Sequence, residues 1–334
     1  MTGDLRPLGP ANPGDRRLPA TVLSWDEDRL VAADEASGRS VRLPPGAPRT
    51  LACYSFTRER GENEKKKKDQ DLMVFGLAVL DADRLVLLDL PGRWGTDAVS
   101  AFAPAHGLEF QALGLTPARA RTFLSCRAPG WGVLRGLPEP APASRGRRFA
   151  WWTAALSGLV AMVCTLYFLP PHMWRFFRLA VTNFADVLEL KWLALAASPL
   201  GVLIAPLFRR LDRVLLRRRV SRGRGLAAAD RPSAARLGVR GTKLAISGMG
   251  PGPRSKGVKK HPLDGLRMLI YRCEGLNGLF VLDGTGRPVY HFPGRWHPED
   301  VNRFAARHGV TCEIRELPRS EYAALATAAQ DAYP

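Results

Sequence analysis

Between Gly76 and Trp94 an apolar run, a polar break and a second apolar run follow one another: GLAVL, DADR, LVLLDL, then PGRW. Short apolar runs bounded by turn formers predict two strands joined by a tight turn at Asp81-Ala82-Asp83. Pro91-Gly92 predicts a type II turn, with Gly at positive φ. Val99, Phe102 and Ala103 then recur at i, i+3, i+4, the spacing of one helix face. His106-Gly107 predicts the helix end, and LEFQALGL alternates as a half-buried strand. The predicted unit is strand, strand, helix, strand, with a further helix over 116–126.

The same pattern returns 202 residues later. Residues 278–317 match residues 76–115 without a gap at 15 of 40 positions, grouped as GL-VLD, PGRW, V--FA--HG and a final Leu. Identities clustered at one offset point to a duplicated unit rather than to chance. In the second copy Asp283-Gly284-Thr285-Gly286 supplies the turn, and His297-Pro298-Glu299-Asp300 starts the helix. A last helix is predicted over 320–333. Further strands precede each unit: TVLSW, RLVAADE, SVRLP and TLACYSF in copy 1, TKLAIS and GLRMLIYRC in copy 2. The polar stretches 58–70 and 248–262 read as loops. The expected fold class is therefore α+β, with two small duplicated domains over 18–140 and 241–334 and a frayed segment over 1–17.

What separates the copies changes the picture. Phe149–Leu169 is 21 residues without a charge, with Trp151 and Trp152 at one end and Tyr167 and Phe168 at the other. At 1.5 Å per residue it reaches about 31 Å, the thickness of a bilayer core. Trp192–Phe208 is shorter and carries Pro199 and Pro206. The pair reads as a transmembrane hairpin. Basic residues flank its outer ends, at Arg145, Arg147 and Arg148 and again from Arg209 onward, so the positive-inside rule places both termini in the cytoplasm. The expectation is a multi-pass plasma-membrane protein whose domains are cytoplasmic, with the thiols of Cys53, Cys126, Cys273 and Cys312 reduced.

Charge is as uneven as hydropathy. The net charge is +18, yet residues 209–260 alone hold 16 basic side chains against 2 acidic ones. Arg209, Arg210, Arg213, Arg217, Arg218, Arg219, Arg222 and Arg224 fall on a predicted juxtamembrane helix or linker over 209–240. Next to a bilayer they are candidates for contact with anionic lipid head groups. No Trp, Tyr or Phe lies between Arg209 and Lys260, which argues against a nucleic-acid interface built on stacking.

Chemistry is sparse. No nucleophile elbow, HExxH, Walker loop or GxGxxG after a strand occurs, and no Cys/His spacing suggests a metal. No catalytic residue, metal or cofactor is expected, and no small-molecule substrate is evident. The repeated PGRW makes Arg93, Trp94, Arg295 and Trp296 candidates for a shared Arg–aromatic surface. His106 and His308 fit helix ends, and His291 and His297 face Asp89 and Gly95 in the alignment of the copies. The expected function is non-enzymatic: a membrane-held interaction or sensing protein with the bilayer, anionic lipids and a protein partner or second copy as partners. The alternatives are a subunit of an oligomeric transport or enzyme complex and a membrane-tethered nucleic-acid binder.

Overall fold

In the computed structural model, residues 3–12, 15, 17–57, 72–138, 214–229, 236–247 and 259–331 are described. Copy 1 opens with β1 (Pro7–Gly9) and a meander of β2 (Thr21–Asp26), β3 (Arg29–Asp34) and β4 (Arg39–Arg42). Then come β5 (Thr50–Thr57), β6 (Met73–Leu80), β7 (Val86–Pro91), β8 (Arg93–Trp94), α1 (Thr96–Ala105), β9 (Glu109–Leu115), α2 (Pro117–Ser125) and β10 (Arg127–Val133). The large sheet has the order β10-β7-β6-β5-β9. Its three inner strands are antiparallel, and β9 and β10 join the edges in parallel.

Copy 2 repeats the plan. After a helix over 214–221 (α3), β11 (Gly225–Ala227), β12 (Arg236–Arg240), β13 (Lys243–Ser247) and β14 (Lys259–Pro262) form the small sheet. The large one is built from β15 (Arg267–Cys273), β16 (Leu276–Leu282), β17 (Pro288–Pro293) and β18 (Thr311–Glu316) in the order β17-β16-β15-β18. α4 (Pro298–His308) lies between β17 and β18, and α5 (Arg319–Asp331) follows. Residues 1–139 and 219–334, and so both copies, belong to one compact unit; of residues 140–218 only 214–218 are described.

Each shared identity has a local cause. Asp81 Oδ1 accepts the backbone N–H groups of Asp83 and Leu85, and Asp283 Oδ1 those of Thr285 and Arg287, so the Asp of VLD closes the hairpin turn in both copies. Trp94 Nε1 donates to Leu90 O and Trp296 Nε1 to Phe292 O, each at 3.0 Å. Phe102 packs on His106 and Phe304 on His308, one turn apart on the helix, and Gly107 and Gly309 follow at φ 70° and 66°. The Gly of GL-VLD is required by a close approach. Tyr54 faces Gly76 across β5–β6, and Tyr271 faces Gly278 across β15–β16. A Cβ on either glycine would fall within 2.6 Å of tyrosine ring or hydroxyl atoms.

The two copies are docked on each other. One core cluster takes Leu85, Cys126 and Ala128 from copy 1 together with Tyr271, Phe280, Tyr322 and Ala326 from copy 2. Helix α2 packs on β5 and β7 of its own copy and on β17 and α5 of the other. The Tyr322 hydroxyl donates to Arg127 O at 2.9 Å, and Arg319 Nη2 meets the buried Asp81 Oδ2 at 2.7 Å.

Several expectations need correction. The described chain is mostly β-sheet rather than α+β, with five sheets and five helices among the described residues. The reason is that each copy carries a meander of short strands, and its helices are only short spacers and covers. The integral-membrane reading is corrected as well. Crossing a bilayer takes about 20 apolar residues, and the longest described helix, α5, has 13. Among the described residues no helix is long and apolar enough to cross. The segments expected to span, 149–169 and 192–208, lie outside the described residues, as do 58–70 and most of 248–262. The multi-pass plasma-membrane localisation, the cytoplasmic placement of both termini and the inner-leaflet function do not stand. The stretch expected to fray, 1–17, contributes β1 and a bridge between Leu5 and Leu23.

Candidate functional site

Tyr54 and Tyr271 occupy the same place in their sheets, and each reaches over its glycine to the neighbouring strand. The residue met there differs. In copy 1 it is Asp89 on β7, whose Oδ1 accepts the Tyr54 hydroxyl at 2.8 Å. In copy 2 it is His291 on β17, whose Nε2 shares a 2.8 Å hydrogen bond with the Tyr271 hydroxyl. Asp89 and His291 are separated by the repeat offset of 202.

The surroundings diverge too. His291 is buried, stacked on Phe280 with 4.3 Å between ring centroids and edge-on to Tyr322. Cys126 Sγ lies 4.0 Å from its Nδ1 and itself donates to Ala326 O at 3.2 Å. Burial, aided by the Arg127 charge, pushes the imidazole down to about 3, so the ring is neutral at physiological pH. Burial likewise raises the Cys126 thiol to about 12 and the Tyr271 hydroxyl well above its usual value. A thiol held this high is inert as a nucleophile.

Copy 1 leaves its counterpart open. Helix α2 has 9 residues where α5 has 13, a difference of about 6 Å of helix. Ala120 and Phe123 of α2 cover part of the Tyr54 face. The rest opens on a cavity of about 770 Å³, framed by Tyr54 and Asp89, by Leu124, by Trp131 on β10 and by the segment before β2. That volume is in the range of small-molecule sites. Arg17, Arg127 and Arg135 line it against Asp15 and Asp89. The Arg127 guanidinium sits 3.7 Å from the centroid of the Trp131 ring, a close cation–π stack. Burial raises the Asp89 carboxyl to about 6, against the lowering effects of the Tyr54 hydrogen bond and the charges of Arg135 and Arg127.

The residues singled out from the sequence land elsewhere. Trp94 and Trp296 are buried and belong to the cores rather than to a surface. Arg93 and Arg295 are exposed, and Arg93 lies over the Phe75 ring at 5.8 Å. PGRW is also a stitching point: β8 pairs with β1, and Ala229 N donates to Arg295 O at 2.7 Å. Arg217, Arg218 and Arg219 lie on α3, and these three, Arg222 and Arg224 are all exposed. Arg209, Arg210 and Arg213 lie outside the described residues. Among the described residues no group of His, Cys, Asp and Glu could hold a metal. Tyr54, Arg127 and Trp131 were not singled out by sequence reasoning. One signal pointed there: Asp89 interrupts the apolar run LVLLDLP, and Asp is depleted in strands.

Set beside known proteins, the chain matches no family model, no curated protein and no solved structure. The reading of its function rests on its own residues.

Proposed function

We propose that this protein is a non-enzymatic binding module in which copy 2 serves as scaffold and copy 1 presents a recognition cavity. One observation carries the reading: the equivalent tyrosine pairs differ in access, Tyr54–Asp89 opening on about 770 Å³ and Tyr271–His291 closed over by Cys126 and Tyr322. A concavity of that size, open at one side, has the volume of a small-molecule site. The Tyr54 hydroxyl at the cavity is suited to recognition rather than to proton transfer. The Tyr54 hydroxyl is pushed well above its ordinary value by burial and the Asp89 charge, which makes it a hydrogen-bond donor and a poor general acid near neutral pH. Asp89 is engaged by that hydroxyl.

The test uses the full chain and the neutral fluorophore N-phenyl-1-naphthylamine, together with a variant, Val74→Trp, that fills the cavity from β6. Saturable binding by the parent protein, weakened about tenfold or more by V74W at unchanged thermal midpoint, is the expected result. Absence of binding both by this probe and by its sulfonate analogue, or binding that V74W leaves intact, overturns the reading.

A further inference from the structure

We propose that the copy 1 cavity selects a planar aromatic anion, its ring system laid against the Arg127–Trp131 stack and its negative group held by Arg127 and Arg135. The inference rests on the cavity reading above and adds the chemistry of the occupant. It starts from how the walls are divided. Phe56, Val74, Val86 and Leu124 provide an apolar side, and Trp131 with Arg127 provides a flat one. A guanidinium lying on an indole presents a second planar face, onto which a conjugated ring stacks with little loss of rotamer freedom.

Charge then decides the sign of the ligand. The two carboxylates on the wall are each engaged by a donor of the protein: Asp15 Oδ2 accepts Asn12 Nδ2 at 2.9 Å, and Asp89 Oδ1 accepts the Tyr54 hydroxyl. Arg17 and Arg135 make no ion pair among the described residues. The cavity thus offers cationic donors in excess of its anionic acceptors, and a guanidinium fork matches a carboxylate or sulfonate in two hydrogen bonds. A cationic ligand would have to sit among three arginines.

Asp89 makes the selection pH-dependent. The titratable and charged groups facing it are Tyr54 from β5, Arg127 from β10, Arg135 beyond β10 and, across the cavity, Arg17 and Asp15; α2 presents the apolar Leu124. Protonating Asp89 near pH 6 removes a negative charge from the cavity floor without disturbing the arginines. An anion gains affinity as the pH falls through that value, and a neutral ligand does not.

Two probes with one aromatic skeleton separate the possibilities: 1-anilinonaphthalene-8-sulfonate and its uncharged analogue N-phenyl-1-naphthylamine. Both are titrated by fluorescence against the full-length protein at pH 7.5 and pH 5. The sulfonate should bind about tenfold tighter than the neutral analogue at pH 7.5, the worth of one charge-assisted contact. Its affinity should rise severalfold at pH 5, and Asp89→Asn should abolish that rise. Arg127→Met should cost the sulfonate about tenfold and the neutral probe, which loses only a stacking face, a smaller factor. Because Arg127 sits at the junction of the copies, Arg135→Gln, at an exposed position, is the second variant and should show the same preference on a smaller scale. If the neutral probe binds as well as the sulfonate, or both arginine variants affect the probes equally, the anion inference falls while the cavity reading stands. If neither probe binds, or V74W leaves sulfonate binding unchanged, both fall.

Discussion

The Tyr54–Asp89 and Tyr271–His291 pairs are one device placed in two environments. Backbone register, the glycine beneath the ring and the hydroxyl-to-neighbour distance of 2.8 Å are common to both. A scaffold that supplies a buried hydroxyl leaves the partner to a single position, and that position sets the electrostatics. With Asp the pair holds a carboxyl whose charged form is disfavoured, beside an open cavity. With His the pair is neutral, aromatic and closed. Duplication has yielded one copy whose polar pair consolidates the docking of the two halves and one whose polar pair faces a void.

The sharpest way to separate the two is pH, because their signs are opposite. His291 is held far below its unfolded value of about 6.5. Its contribution to stability is present above pH 6.5 and is lost as the pH falls toward 3, by about 5 kcal/mol in all. Urea unfolding from pH 7 to pH 4 should show this fall, and His291→Gln should flatten it; an unchanged profile in H291Q would refute the assignment. Next in size is the steric contrast. Gly278→Ala drives a Cβ into a ring sealed between Phe280 and Tyr322 and should destabilise by about 3 kcal/mol, whereas Gly76→Ala should cost about 1 kcal/mol because Tyr54 has the cavity to move into. Equal losses in chemical denaturation would erase the distinction between closed and open.

Asp89 carries the mirror image of the His291 effect. Its folded value near 6 lies above the unfolded one, so its contribution is full in acid and is lost as the pH rises from about 4 through 6. Asp89→Asn should therefore raise stability near pH 7.5 by about 3 kcal/mol and leave it nearly unaltered near pH 4. Smallest is the Asp81–Arg319 contact across the junction of the copies. Arg319→Met removes the cation from a buried carboxylate that still keeps its turn hydrogen bonds, and should lower the unfolding free energy by about 1 kcal/mol. Asp283, its half-buried counterpart, forms no salt bridge with an arginine among the described residues, so Arg287→Met should change nothing measurable.

Much of the repeat could be read in advance because its determinants are local. Asp81 and Asp283 bond to backbone two and four residues on, Trp94 and Trp296 reach back four residues, and Phe102–His106 and Phe304–His308 meet one helical turn apart. Such interactions leave their spacing in the sequence. Tyr54 and Tyr271 escaped notice because they lie upstream of the gapless block. From Tyr54 to Gly76 the chain takes 22 residues, but from Tyr271 to Gly278 only 7, so no common offset links the two. The apolar runs 149–169 and 192–208 show the opposite risk. Length and lack of charge are necessary for a membrane span, and they led to a localisation that the described residues do not bear out.

By itself the sequence determined that two copies exist, where their hairpins turn and where their helices start and stop, since each follows from contacts within a few residues. Only the tertiary structure decided which copy closes and which stays open. That outcome depends on α5 outreaching α2, on α2 lying against both large sheets, and on Cys126 and Tyr322 arriving at His291 from opposite halves of the chain. Contacts between residues 165 positions apart are set by packing, and no periodicity along the chain records them.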